Sequence, residues 1–249
     1  MKKLRRLIRY LIEVPRVVTE YKFQGDVREM EVFSDSNWAG CRRTARSTSG
    51  GVMMRGTHYL KSWSSTQKNV TLSSAEAELL TAVKASGEAL GMLQLMSSVG
   101  VPMTASIMVV SSAALAVVAR KGNGKLRHVR VGHLWVQQVA ADGGLKYHKV
   151  NGEENPSDAC TKHLTGERLR KLVARVGQCQ RSGRAQESLR VQPARTAPTD
   201  SPGCLKHQGE GECQHISTPS TGLSPGCDPV AVYCAKTLAR LHGSGAWQR

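Results

Sequence analysis

Acidic residues and aromatics are scarce in this 249-residue chain: 19 Asp and Glu stand against 35 Lys and Arg, and aromatic side chains make up 4% of it. The acidic shortfall leaves a formal net charge of +16, which points to a polyanionic partner, nucleic acid or an anionic membrane surface, and says nothing about fold. No apolar run approaches the roughly 18 residues needed to cross a bilayer, which excludes a membrane-spanning helix. The opening MKKLRRLIRYLI is broken by Arg9 and followed by no small-residue cleavage pattern, so it does not read as an export signal. Seven cysteines, an odd number with no export signal before them, argue against a secreted disulfide framework. The expected location is cytoplasmic or nuclear.

What is present is 40% hydrophobic, enough for one core with chain to spare. Composition changes at Gly177. Most of the prolines (Pro193, Pro198, Pro202, Pro219, Pro225, Pro229) and of the cysteines lie beyond it, among Ser, Thr, Gly and Gln without apolar periodicity. Such a stretch buries too little surface to offset the ~1 to 2 kcal/mol per residue of backbone ordering. Residues 178–249 are therefore expected to be a largely disordered tail, with one weak helix over 230–241. Cys204, His207, Cys213 and His215 are zinc-ligand types, but their spacing matches no standard finger or knuckle, and reduced thiols are the simpler expectation.

Before the tail, Leu4, Leu7, Ile8 and Leu11 recur at helical spacing among Lys3, Arg5, Arg6 and Arg9. They predict a short basic helix that packs on a neighbouring domain, with contact to phosphate or lipid, or a mitochondrial presequence, as the alternatives. Segments 29–35, 49–54 and 58–62 read as three short strands in an antiparallel meander. Ser73 and Glu76 form an S-x-x-E capping box that starts a helix running to about Ser98. A buried strand over 106–110, a helix over 112–119, a helix over 127–140, a fifth strand over 145–150 and a last helix containing Leu169, Leu172, Val173 and Val176 complete the pattern. The order βββαβαβα, with an extra helix before the fifth strand, implies an α/β fold: a mixed five-stranded sheet with helices on its faces. The expected division is 1–28 connecting helix and linker, 29–177 folded domain, 178–249 tail.

Three carboxylates stand at element ends, where a scaffold exposes functional groups. Asp35 closes the first strand of the meander, a position that suits either an Asx-turn or a site residue. Glu76 is occupied by the cap, whereas Glu78, about 200° further round the helix, has no capping role and sits beside Leu79 in an apolar stripe. Asp158 precedes the last helix, where capping and function are equally available explanations.

Taken together, the strings SDSNWAGCRRTARSTSGG (34–51), KSWSSTQ (61–67), LSSAEAELL (72–80), SSAA (111–114), LRHVRV (126–131) and NPSDACTKHL (155–164) resemble the ribonuclease H domain of copia-type LTR retrotransposon Pol polyproteins over about residues 1–176. The N-terminal KKLRRLIRYLIEVP resembles the connection from reverse transcriptase, which makes the chain a fragment and the reverse transcriptase part its partner. The resemblance implies a ribonuclease H-like fold and cleavage of the RNA strand of an RNA:DNA hybrid by two divalent cations, magnesium with manganese as substitute, held by four carboxylates. Hard cations roughly 3.5 to 4 Å apart need anionic oxygen ligands. Carried over by motif, Asp35 bridges both metals, Glu78 is the helix carboxylate and Asp158 the late one. The fourth place, immediately before Ser-Ser-Ala-Ala, holds Val110, which cannot ligate a cation. Losing such a ligand should cost at least the ~10 to 100-fold of an outer-shell change, so impaired cleavage is expected. The alternatives are a non-catalytic nucleic-acid-binding module and an inactive retroelement remnant.

Arg42, Arg43 and Arg46 follow Asp35 in one loop, and Arg120, Lys121, Lys125, Arg127 and Arg130 cluster about a Gly-Asn-Gly turn. They are expected to track a nucleic-acid backbone beside the acidic site. Trp38 and Trp63 are expected to anchor the core.

Overall fold

Strand alternation beginning at Glu29 builds the central strand in the computed structural model, which describes residues 2–124, 128–183 and 185. The expected tail beyond 185, its helix over 230–241, the four zinc-type residues, and Lys125 and Arg127 lie outside the described residues. The elements are α1 (Lys2–Glu13), β1 (Arg16–Thr19), β2 (Glu29–Asn37), β3 (Thr48–Arg55), β4 (His58–Thr66), α2 (Ser74–Ser98), β5 (Thr104–Val109), α3 (Ser112–Ala119), α4 (Trp135–Ala141), β6 (Lys146–Lys149), α5 (Gly166–Arg175) and β7 (Gln178–Arg181), with 3-10 turns at Val131–His133, Gly152–Glu154 and Pro156–Cys160.

Five strands form one sheet in the order β4-β3-β2-β5-β6. The β2-β3-β4 meander is antiparallel, while β5 and β6 enter parallel to β2, each through a helical connection. This is the expected mixed sheet. Because strand side chains alternate between faces, β2 sends Met30 and Val32 into a core shared with Leu79, Ile107 and Val136. Phe33, on the other face, joins a second cluster with Val52, Tyr59, Val150 and Cys160, against which Met108 and Val110 pack. The sheet is thus covered on both faces.

Helix α2 starts and stops where the capping box and its periodicity predict. Ser73 Oγ accepts the Glu76 N–H at 3.2 Å, but Glu76 Oε2 accepts the Leu72 N–H at 2.8 Å, one residue earlier than a standard box. Fully buried Ala77, Ala82, Ala85 and Ala89 line the face of α2 that lies on the sheet.

Two expectations change. Over its described residues, 128–140, the helix predicted over 127–140 contains a 3-10 turn followed by the seven-residue α4. Gly132 weakens the helix there, and Arg130, extended at φ −61° and ψ 132°, interrupts it before the 3-10 turn. The second change is an element the pattern did not contain: β1 and β7 pair antiparallel, Arg16 opposite Arg181, in a separate two-stranded ribbon. β7 begins at 178, where the expected tail begins, so the chain just past α5 returns to the segment that follows α1. No helix among the described residues is long and apolar enough to cross a membrane.

Candidate active site and nucleic-acid face

Alternation along β2 puts Asp35 on the same face as Phe33, at the strand end where β5 stops. The parallel register ends with Ser34 opposite Val109, so Asp35 and Val110 each stand one residue past the last pair. On Asp35's other side its partner in β3 is Gly50. A Cβ at Gly50 would lie 2.5 Å from Thr161 Cγ2 and 2.8 Å from the Cys160 Cβ, so glycine is what lets the 156–161 segment descend onto the sheet.

That segment carries Asp158. Pro156 opens its 3-10 turn, Asn155 Oδ1 caps it by accepting the Ser157 N–H at 3.1 Å, and Asn155 Nδ2 donates to the Ser34 carbonyl at 2.9 Å. Asp158 therefore reaches the end of β2 through a buried amide. Glu78 approaches from the opposite face of the sheet: its Oε1 accepts the Ser36 N–H at 3.2 Å, while its Oε2 is buried without a hydrogen-bond partner. Three elements distant in sequence thus bring Asp35, Glu78 and Asp158, each at most 9% exposed, to one end of the sheet. Val110, half-buried, packs at the same end.

Two cations that the sequence pattern did not single out complete the cluster. Lys162 Nζ lies 2.9 Å from Asp35 Oδ1 and 2.7 Å from Asp158 Oδ1. Thr161 Oγ1 donates to Asp35 Oδ2, and Arg168 donates to Asp158 Oδ2 at 2.8 Å. All four oxygens of the two aspartates are engaged by protein donors. Lys162 was legible only as the residue one helical turn after Asp158; nothing in the sequence tied it to Asp35. Among the described residues no group of three or more His, Cys, Asp and Glu side chains is arranged to hold a metal ion.

The electrostatics follow from burial. Desolvation and the neighbouring Asp35 push the Glu78 carboxyl up to about 7, against the Ser36 N–H and Lys162, which favour its ionised form. Burial likewise raises Asp35, with Lys162 and Thr161 pulling the other way. Burial pulls Lys162 down, but Asp35 and Asp158 outweigh it and hold its ammonium above the ordinary lysine value. Glu76 is spent elsewhere, accepting the Leu72 N–H and pairing with His128 at 3.1 Å.

The basic loops divide. Arg42, Arg43 and Arg46 are exposed on a loop closed by the Ala45 N–H to the Cys41 carbonyl at 2.7 Å, with Ala45 at φ 51°. Lys121 and Arg130 are exposed as well. Arg120 is not: it is half-buried and folds back onto its own turn, donating to the Asn123 carbonyl at 2.7 Å. Trp63 is a core residue as expected. Trp38 is not: it is 50% exposed, held by Nε1–H to the Thr71 carbonyl at 3.2 Å beside exposed Val70 and Leu72. Its position three residues beyond Asp35, just outside the strand, takes it off the core face.

No protein-family model matches the chain. It is similar to the retrovirus-related Pol polyprotein from transposon RE1 of Arabidopsis thaliana, 25% identical over 181 residues, which are 71% of this chain and 12% of that protein. A second Arabidopsis relative, from transposon RE2, is 25% identical over 178 residues, 70% of this chain and 12% of its own length. The chain therefore spans about an eighth of the curated relatives it matches. Among solved structures it is similar to the N-terminal RNase H domain of a Mycobacterium tuberculosis protein, with a TM-score of 0.39 at 14% identity over 59% of this chain and 96% of that one.

Proposed function

We propose, for a chain that resembles the ribonuclease H region of copia-type retrotransposon Pol polyproteins, that it holds RNA:DNA hybrid across its basic loops and hydrolyses the RNA strand weakly or not at all. The observation that carries this reading is the meeting of Asp35, Glu78 and Asp158 at the end of β2, with Val110 one residue past the last β2–β5 pair, Ser34 and Val109. Buried carboxylates at a strand end are costly unless a cation or a proton compensates them, so their convergence marks a site built for positive charge.

The same residues do not fit two divalent ions. Magnesium and manganese require anionic oxygens free to ligate. Glu78 Oε2 meets that requirement, being buried and unpartnered. The oxygens of Asp35 and Asp158 are taken by Lys162, Thr161 and Arg168, and position 110 offers a hydrocarbon. Hybrid retention has its own support: Arg42, Arg43 and Arg46 are exposed on the loop that follows Asp35, and half-exposed Trp38 stands at the start of that loop. Fixed cations with an exposed aromatic suit a backbone-tracking surface that reads shape and not sequence. The reverse transcriptase part of a longer Pol chain is the proposed neighbour of α1, whose Leu4, Ile8 and Ile12 are exposed.

The test is hybrid cleavage in magnesium and in manganese by the natural chain and by Val110→Asp. The substituted chain should cut at least about tenfold faster than the natural one, by the scale of ligand-shell effects. Robust cutting by the natural chain overturns the impairment. Absence of hybrid binding by both chains overturns the reading as a whole.

A further inference from the structure

The cluster at the end of β2 carries its own cation. We infer that Lys162 stands in for a divalent ion between Asp35 and Asp158, so that in this chain the site is charge-balanced, folds without metal, and admits a divalent cation there only when the lysine is displaced.

The inference deepens the proposed function and rests on it only for the identity of the site; the charge argument stands on the side chains themselves. Two aspartates, 1% and 3% exposed, meet two cations, Lys162 and Arg168. Each ammonium or guanidinium contact is at 2.7 to 2.9 Å, the range of charge-assisted hydrogen bonds. Lys162 is a bridge and not a pendant pair, because one nitrogen serves both carboxylates as a shared metal ion would. Its backbone fixes it there: the Lys162 N–H donates to the Asp158 carbonyl at 3.0 Å, so the i, i+4 geometry returns the side chain over Asp158. Thr161 and Arg168 then saturate the two remaining oxygens. A divalent ion entering this gap would have to break both lysine hydrogen bonds and desolvate, while the valine at 110 gives it no anion in return. Removing the lysine charge leaves buried Asp35 with no cation and Asp158 with Arg168 alone, a situation that a cation from solution relieves.

The assay uses the full chain and Mn2+ as probe. Mn2+ affinity, read by the water-proton relaxation of the bound ion, should be at least about tenfold higher for Lys162→Met than for the natural chain, with Lys162→Arg remaining like the natural chain because it keeps the charge. In EDTA the melting temperature of Lys162→Met should fall below that of the natural chain and rise on adding Mn2+, whereas the natural chain should show little shift. Equal Mn2+ affinity in the natural chain and Lys162→Met overturns the inference. A second measurement needs no variant. The Lys162 side chain is 41% exposed, so its acetylation rate in the natural chain can be followed by mass spectrometry with EDTA and with Mn2+. At Mn2+ concentrations that occupy the natural chain, a raised rate supports the bridge, because the ion enters by displacing the lysine, and an unchanged rate overturns it. RNA:DNA hybrid affinity measured in EDTA on the same samples separates the two claims. Loss of hybrid binding with the Mn2+ pattern intact removes the proposed function and leaves the lysine bridge.

Discussion

Asn155 donates its side-chain N–H to the carbonyl of Ser34 at 2.9 Å, although 121 residues separate them, and both are fully buried. This one amide ties the turn that presents Asp158 to the strand that presents Asp35. Its Oδ1 also accepts the Ser157 N–H at 3.1 Å and the Ser157 Oγ–H at 2.6 Å. Asn155→Ala should therefore cost about 2 to 4 kcal/mol, since it leaves buried backbone and hydroxyl groups unpaired. Urea unfolding would register the loss, and a midpoint equal to that of the natural chain would show that the turn is held by other interactions.

Glu78 makes stability depend on pH in an unusual direction for a carboxylate. Its folded value is about 7 against an ordinary 4.5, so between these pH values the folded chain binds the proton more tightly than the unfolded one. Its contribution is fully present below about pH 4.5 and is lost as pH rises through about 7. Relative to Glu78→Gln, in EDTA, the natural chain should lose roughly 3 kcal/mol across that window. Parallel stability curves for the two chains from pH 5 to 8, roughly the neutral range where maximal stability falls, would contradict the assignment.

Gly50 is constrained by proximity and not by its backbone angles. Gly50→Ala forces a methyl against Thr161 Cγ2 and the Cys160 Cβ, and should cost about 1 to 3 kcal/mol of overpacking while pushing Thr161 and Lys162 away from Asp35. Thermal unfolding tests the stability part. If the variant melts with the natural chain, the 156–161 segment has room to move that its packing against Gly50 denies.

The arginines should separate in a salt titration. If Arg42, Arg43 and Arg46 lie on phosphates, replacing all three with Ala should flatten the slope of log K against log salt by about 0.9 for each duplex phosphate that is no longer neutralised. Arg120→Ala should leave the slope unchanged, because that guanidinium is committed to the Asn123 carbonyl. Equal effects from both changes would mean that net charge alone governs binding.

Local signals determined a large part of this protein. Period-two alternation fixed the meander, and the Ser73 cap fixed the start of α2, because both depend on residues within a few positions of one another. The separate roles of Glu76 and Glu78 followed from helix geometry alone. That Val110 cannot ligate a cation was equally readable, while an acid at that position is only what the resemblance implies. The tertiary structure decided what lies between distant segments: the β1–β7 ribbon, whose strands are four residues each and too short for a periodic signal; the folding back of Arg120; the exposure of Trp38; and the seating of Lys162 against Asp35, 127 residues away. Sequence spacing measures only contour along the chain, whereas the charge balance of the buried cluster is set by distances through space, and these exist only once β2, α2 and the 156–161 segment have packed together.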